Sequence, residues 1–200
     1  MEYSTLFSFA IVTLSQTISI GPGVALVINN AFSQGLKSSI KTSVYIRSGE
    51  AIVMVISLFT LSSTSSIEQH FYIIKILGGS YLIYIGVMGL INKKNKKSKV
   101  QKPLLIPLLN PKEYLFFAAL IPAFIDDNTN IALNFFILGV LFIFISFLTD
   151  IIYIAISLTI RDKLTPSFSR YISICSSIFI LGTGIYFILT WNAVFILIQP

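Results

Sequence analysis

The sequence has few charged residues, and this shortage excludes most soluble proteins. Asp, Glu, Lys and Arg make up 11% of its 200 residues, whereas a soluble domain carries about 25%. Hydrophobic residues make up 55%, and 17 residues are Phe. The 14 basic and 8 acidic side chains are too few to cover such a hydrophobic chain in water. We therefore expect the chain to lie in a lipid bilayer.

Cysteine and histidine are almost absent, which excludes most catalytic and metal-binding sites. The single cysteine, Cys175, lies in an apolar run and can form no disulfide or thiolate metal pair within the chain. The single histidine is His70, and no metalloprotease pair, glycine-rich phosphate loop or nucleophile elbow is present. An intramembrane hydrolase would need two deep carboxylates, and only Asp150 is unambiguously deep. The sequence therefore predicts no enzyme, no cofactor and no metal site.

Long apolar runs dominate the chain, and each is long enough for a helix of about 20 residues that crosses the hydrocarbon core. They lack the polar alternation of a transmembrane β-barrel. The sequence therefore predicts an all-α polytopic membrane protein with six transmembrane helices in a single domain, residues 1–200. Its first half covers about 1–91, a lysine-rich linker covers 92–103, and its second half covers about 104–200. The predicted spans lie near residues 6–28, 39–61, 71–91, 104–125, 131–160 and 171–189.

Positive charge is concentrated on one side of these spans. That side carries the linker lysines, and the other side carries mainly acidic groups. Because cytoplasmic loops are enriched in Lys and Arg, we expect the linker in the cytoplasm and both termini in the periplasm. The net charge of +6 thus indicates topology and contact with membrane lipid, and no nucleic-acid partner. The basic side holds Lys37, Lys93, Lys94, Lys96, Lys97, Lys99, Lys102, Arg161, Lys163 and Arg170, and the other holds Lys75, Glu68, Asp126 and Asp127.

Two of the predicted spans contain helix-breaking residues. The first is interrupted at Gly21, Pro22 and Gly23, and the fourth at Asn110 and Pro111. The two spans cross in opposite directions, as in transporters built from two inverted three-helix repeats. Glycine and proline also serve for packing alone. Because both halves are broken at corresponding places, we predict a midplane site where helix N-termini bind a substrate carboxylate.

Five ionisable residues lie inside or beside the spans. Arg47 and Glu50 are three residues apart on one helix face, Lys112 and Glu113 follow the fourth-span break, and Asp150 is deep in the fifth span. A charge near the bilayer centre costs at least about 2.5 kcal/mol, so we expect these groups to face the helix bundle. Lys112 has the alternative of extending to the cytoplasmic interface. Arg47 and Glu50 form either a structural pair or part of an ion-coupling site. Asp150 either binds a cation or proton, or pairs with Arg47 or Lys112.

The same segments resemble the LysE/RhtB family of bacterial amino-acid exporters. The segment from Ile18 to Pro22 resembles the family's Ser-Pro-Gly-Pro motif, and Gly35 and Gly49 follow at the family's spacing. The third span resembles the family at residues 75–82 and Gly86. The fourth is similar at Asn110, Pro111 and Lys112, then at Phe116, Phe117 and Pro122. The sequence departs from the family's pattern at Ile20, Gly23, Ser39, Tyr45 and Ala123. These departures affect the expected identity of the substrate more than the expected fold.

The resemblance implies an inner-membrane exporter of amino acids or close derivatives, driven by the proton gradient. A scaffold or assembly factor that keeps the fold without transporting is the alternative. The expected partners are an amino-acid substrate and membrane lipid, and a homo-oligomer is left open. We expect the two helix breaks to bind the substrate carboxylate, and Asp150 to bind the substrate ammonium or the coupling proton.

Overall fold

The computed structural model describes residues 3–60, 66–91, 102–125, 130–161 and 166–189. Every regular element in these ranges is helical, which confirms the predicted class. Some of the charged residues from which the topology was predicted are not in these ranges. The linker lysines before Lys102, Asp126, Asp127 and Lys163 lie outside the described residues.

Eight α-helices lie in the described residues. Two of them, Leu105–Leu108 and Pro111–Leu115, are single turns, and a π-helical turn (116–120) and a 3₁₀ turn (122–124) follow the second. The α-helices are α1 (Tyr3–Ile18), α2 (Pro22–Gln34), α3 (Leu36–Thr60), α4 (Ser66–Ile91), α5 (Leu105–Leu108), α6 (Pro111–Leu115), α7 (Ile131–Arg161) and α8 (Pro166–Leu189).

Length and hydropathy identify the clearest membrane-spanning helices. Leu36–Phe59 of α3 and the 31-residue α7 each suffice to cross a bilayer. The α1–α2 pair, bent by 59°, forms a third span if it is counted as one. Shorter apolar stretches occupy Ile76–Ile91 of α4 and Ile174–Leu189 of α8. The chain is therefore a multi-pass membrane protein, whereas its six spans and inverted repeats stay predictions.

The bend between α1 and α2 lies where the sequence predicts a break. Pro22 occupies the first turn of α2, where its missing N–H costs no helical hydrogen bond, and Gly21 precedes it in an extended conformation. The Oη atom of Tyr153 on α7 donates a 2.7 Å hydrogen bond to the carbonyl of Ile18 at the end of α1. The interrupted backbone is thus tied to α7.

The predicted fourth span is more fragmented than a single kinked helix. It consists of α5, α6, the π-helical turn and the 3₁₀ turn, together called the fourth segment. Proline accounts for much of this, because each proline removes one backbone donor and crowds the preceding turn. Pro103, Pro107, Pro111 and Pro122 stand within 20 residues of one another. Both α6 and the 3₁₀ turn begin with a proline, Pro111 and Pro122 respectively.

An aromatic core holds the fourth segment against α1 and α7. Phe9 of α1 and Phe117 of the π-helical turn are fully buried. The rings of Phe116 and Phe142 of α7 are tilted by 37° with their centroids 4.2 Å apart, and Phe9 packs edge to face on Phe124 at 5.3 Å. Buried aromatic pairs of this kind contribute about 0.5–1.5 kcal/mol beyond their buried area. These contacts therefore place the segment against α1 and α7 despite its short helices.

Helices α4 and α8 pack closely through glycines. A Cβ atom on Gly184 would lie 2.6 Å from the carbonyl oxygen of Gly79 and 2.8 Å from the backbone nitrogen of Ile83. Small residues allow helix backbones to approach in this way within membranes. Gly182 lies on the same helix, and a Cβ there would meet no atom within 4 Å.

We predict that Gly184→Ala lowers the thermal stability of the detergent-purified protein, because the added methyl group meets backbone atoms that cannot rotate away. Overpacking costs about 1–3 kcal/mol, which corresponds to a lowering of Tm by several degrees, at about 2–4 °C per kcal/mol. The matched control, Gly182→Ala, should leave Tm unchanged or slightly raised. Equal Tm values for the two variants would contradict this close packing.

Candidate functional site

A small polar cavity, the inner cavity, lies between the two helix breaks. Its volume is about 60 Å³, and residues from α1, α2, α3, the fourth segment and α7 surround it. Most of the residues that the sequence singled out meet here. Those that line it are Gly21, Pro22, Gly23, Arg47, Glu50, Asn110, Lys112, Glu113 and Asp150.

Arg47 joins two carboxylates at the centre of the site. Its Nη1 atom lies 2.6 Å from Oε1 and 2.7 Å from Oε2 of Glu50, one turn along α3. Its Nε atom lies 3.2 Å from Oδ2 of Asp150 on α7. The exposed fractions of Arg47, Glu50 and Asp150 are 9%, 3% and 1%. The pairing expected from the spacing of Arg47 and Glu50 is therefore present, and Asp150 extends it to a second helix.

Asp150 keeps one acceptor atom unused. Its Oδ2 atom accepts a 2.5 Å hydrogen bond from the Ser43 hydroxyl and contacts Arg47, whereas its buried Oδ1 atom has no hydrogen-bond partner among the described residues. One turn earlier on α7, the buried Ser146 hydroxyl is likewise unpartnered in the described part of the chain. Buried polar atoms without partners cost about 1–3 kcal/mol. These two atoms are therefore available to a ligand that enters the cavity.

Asn110 organises the break in the fourth segment. Its Oδ1 atom accepts a 3.1 Å hydrogen bond from the backbone N–H of Lys112, and its Nδ2 atom donates to Oε1 of Glu113 at 3.1 Å. These contacts cap α6 and direct Glu113 toward the cavity. The Lys112 residue is exposed at the rim. Pro111 is buried as the first residue of α6 and is not among the lining residues, unlike the other predicted site residues.

The charges around the inner cavity do not balance. The described lining residues include three carboxylates, Glu50, Glu113 and Asp150, against the two cations Arg47 and Lys112. A buried charge needs a partner, because its desolvation is otherwise costly. If all three carboxylates are ionised, the site has one negative charge in excess. The arrangement can therefore accept a proton or a small cation such as an ammonium group.

The N-terminus of α2 supplies the opposite polarity. The first amides of a helix have no partner within it and carry a partial positive charge of about half a unit. Gly21, Pro22 and Gly23 bring this terminus of the 13-residue α2 to the cavity wall. The cavity thus has an anion-binding edge beside a cation-binding cluster, which are the two features that an α-amino acid requires.

Sequence reasoning missed several polar residues of the site. Thr17 and Gln16 of α1 line the cavity, and the Thr17 hydroxyl lies 3.2 Å from that of Thr149 on α7. Ser43 and Ser146 were missed as well. A helical pattern could have found both, because each serine precedes its charged neighbour, Arg47 or Asp150, by four residues on the same helix.

Comparison with known proteins finds bacterial relatives of the chain. The chain is 26% identical over 154 residues to an uncharacterized membrane protein of Vibrio cholerae serotype O1, covering 70% of this chain and 74% of the relative. It is 27% identical over 143 residues to a leucine efflux protein of Salmonella choleraesuis, covering 64% of this chain and 66% of the relative. No solved structure matches the chain.

The family comparison covers most of the chain. The family described as LysE type translocator matches residues 14–190, which include both helix breaks and every residue that lines the inner cavity. The resemblance that the sequence motifs indicated is thereby confirmed. The chain belongs to the LysE type translocator family.

Proposed function

We propose that this protein exports amino acids or close derivatives across the bacterial inner membrane, coupled to proton entry. The observation that carries the proposal is the buried Arg47, with Glu50 and Asp150 on either side of it, in a cavity between two helix breaks. Membership of a translocator family and similarity to a leucine efflux protein support amino-acid export. Ionisable groups buried within membrane helices generally mark transport or proton pathways.

Each charged group of the substrate has a counterpart in the inner cavity. The substrate carboxylate binds at the N-terminus of α2, whose first amides have no partner within the helix, close to the Asn110–Pro111 break. The substrate ammonium binds at Oδ1 of Asp150, the acceptor atom without a partner in the described structure. Arg47 holds the opposite oxygen of Asp150 and fixes the orientation of the carboxylate.

The substrate side chain has room beside these groups. A second cavity of about 360 Å³ shares Gln16 and Lys112 with the inner cavity, and its other walls are apolar. These walls comprise Val12, Leu115, Phe116, Leu120 and Ala123. An apolar side chain can occupy this space while the charged ends of the same molecule stay in the inner cavity. Leucine is accordingly a suitable first probe.

Coupling to protons follows from the excess carboxylate. When the cavity is empty, a proton on one carboxylate balances the cluster, and an arriving ammonium supplies the same positive charge. Substrate binding therefore favours proton release, and substrate departure favours proton uptake. Export of the substrate in exchange for an entering proton is the result.

Transport also requires the helices to separate. An engineered apolar cavity of about 150 Å³ accommodates benzene, so the inner cavity at about 60 Å³ is too small for an amino acid. The fourth segment consists of short turns with few continuous helical hydrogen bonds, and it borders the cavity along one side. We assign the opening movement to this segment.

Efflux assays test the proposed function directly. Cells that express the protein are challenged with inhibitory concentrations of individual amino acids, and efflux of the radiolabelled compound is measured with and without a protonophore. An exporter relieves inhibition by at least one amino acid and shows efflux that the protonophore abolishes. Expression without resistance or flux for any amino acid would favour the alternative of a membrane scaffold.

The expected topology can be tested separately by cysteine labelling. In a Cys175→Ser background, a cysteine replacing Lys96 should resist a membrane-impermeant thiol reagent added from outside, whereas one replacing Asp127 should react. The physical reason is the excess of Lys and Arg on the linker side. Labelling at position 96 but not at 127 would place the termini in the cytoplasm and contradict the expected topology.

A further inference from the structure

A third cavity, here called the lysine cavity, lies between α2, α3 and the start of the fourth segment. Its volume is about 500 Å³, much larger than that of the inner cavity. Lys41 of α3 and Lys102 contribute the only charges among its described lining residues, and no carboxylate is among them. The lysine cavity is therefore positive, whereas the inner cavity has an excess of carboxylates.

The wall of the lysine cavity is built from connected polar side chains. Ser38 donates to Oε1 of Gln34 at 2.9 Å, and Gln34 donates to Oδ1 of Asn30 at 3.3 Å. Asn30, which is 7% exposed, donates to the Thr42 hydroxyl at 2.7 Å. Polar side chains within membrane helices are costly unless they are satisfied or used. This network fixes a polar surface beside the two lysines.

The lysine cavity and the inner cavity are neighbours along the same helices. On α3, Tyr45 lines the lysine cavity and the next residue, Ile46, lines the inner cavity. In the fourth segment, Leu105 lines the lysine cavity and the next residue, Ile106, lines the inner cavity. Ile46 and Ile106 are almost fully buried, with exposed fractions of 2% and 3%. The positive cavity and the acidic cavity are thus lined by adjacent residues of the same two segments.

The lysine cavity lies at the basic end of the helices. Lys37 and Lys41 stand near the start of α3, and Arg161, the last residue of α7, donates to the carbonyl of Ala31 near the end of α2 at 3.3 Å. By the positive-inside bias this end faces the cytoplasm. Asn30 and Gly21 are about 14 Å apart along the chain at 1.5 Å per helical residue. A substrate leaving the cytoplasm would thus reach the lysine cavity first.

We propose that the lysine cavity is a cytoplasmic entry site where Lys41 and Lys102 bind the carboxylate of the substrate. The proposal rests on the proposed export function. With its carboxylate held by the lysines, an α-amino acid directs its ammonium toward the carboxylates of the inner cavity. The positive outer site and acidic inner site therefore select zwitterionic substrates and orient them with the ammonium leading.

The proposal predicts a change in apparent KM without a change in kcat. Uptake of radiolabelled leucine is measured in inverted membrane vesicles, which expose the cytoplasmic face. Because exposed ion pairs are individually weak, Lys41→Gln or Lys102→Gln should raise KM about threefold, and the double variant about tenfold. Lys37→Gln, an exposed lysine one turn earlier on α3 that does not line the cavity, is the matched control and should leave KM unchanged.

Ionic strength provides a second measurement. Added salt screens exposed charges, so the wild-type KM should rise with salt concentration while that of the double variant changes little. The same salt dependence in both proteins would overturn the proposed site.

Lipid composition separates a substrate site from a headgroup site, since a lipid phosphate has the same charge as a carboxylate. The KM of wild type and double variant is compared in phosphatidylcholine vesicles with and without phosphatidylglycerol. A substrate site gives the same difference in KM in both. A difference that disappears in pure phosphatidylcholine would assign the lysines to lipid and overturn the proposal.

Equilibrium binding of radiolabelled leucine to the detergent-purified protein distinguishes the two proposals. Binding that weakens about tenfold in the double variant, without any flux in the wild type, would support the carboxylate site and contradict export. Flux with the same KM in all variants would contradict the site and leave export standing. If the wild type neither binds nor transports leucine, both proposals fail for this probe's substrate class.

Discussion

Asp150→Asn is expected to reduce export about 100-fold or more while the protein still folds and inserts. The amide has the shape of the carboxylate but lacks the charge that attracts an ammonium, and loss of one partner of a desolvated charge pair costs about 2–5 kcal/mol. Folding should survive because Arg47 keeps its two short contacts with Glu50. The measurement is the initial rate of leucine efflux per unit of protein in the membrane.

One further variant and one further measurement sharpen this test. Ser43→Ala removes the hydrogen bond to Oδ2 of Asp150 but leaves Oδ1 and the charge intact, so export should fall only a few-fold. The Asp150→Asn variant should also lose the pH dependence of efflux if Asp150 carries the coupling proton. Export by Asp150→Asn at the wild-type rate, with an unchanged pH profile, would transfer this role to Glu50 or Glu113.

Arg47→Gln is expected to be the most destabilising single change in the inner cavity. It leaves Glu50 and Asp150 without their shared cation, and breaking a buried ion pair from one side typically costs about 3–5 kcal/mol. Glu50→Gln should cost less, because Arg47 retains Asp150 as a partner. The measurement is the denaturation temperature of the purified proteins in detergent.

A triple variant provides the control for this explanation. Adding Glu50→Gln and Asp150→Asn to Arg47→Gln removes all three charges, so it should recover much of the lost stability despite having more substitutions. The single Arg47→Gln variant should also gain stability as the pH falls, because protons neutralise the two unpaired carboxylates. A triple variant less stable than Arg47→Gln alone would show that shape, rather than charge, governs the cluster.

The sequence predicts the helix boundaries well where periodicity and length are strong. The predicted fifth span, residues 131–160, differs from α7 (Ile131–Arg161) by one residue. The first break is found because Pro22 and its flanking glycines have strong local preferences. The fourth span was predicted less accurately, since its four elements depend on how the aromatic core fixes a segment that proline has already weakened.

The sequence predicts only those contacts of the site that lie within one helix. Arg47 and Glu50 are one turn apart, so helical geometry alone places them together. The contact between Arg47 and Asp150 joins residues more than 100 positions apart, and it exists only because α3 packs against α7. The Ser43 contact with Asp150 has the same origin. Residue type marks such groups as candidates, whereas tertiary packing decides which of them meet.

The length of α7 links the inner cavity to the thickness of the bilayer. Its 31 residues span about 46 Å at 1.5 Å per residue, whereas the hydrocarbon core measures about 30 Å. A helix that exceeds the core accommodates the mismatch by tilting, kinking or locally thickening the bilayer. Because α7 carries Asp150 while α3 carries Arg47, any change in that tilt moves one partner of the ion pair relative to the other. We therefore expect the acyl-chain length of the lipid to change the distance between Arg47 and Asp150, independently of substrate and proton.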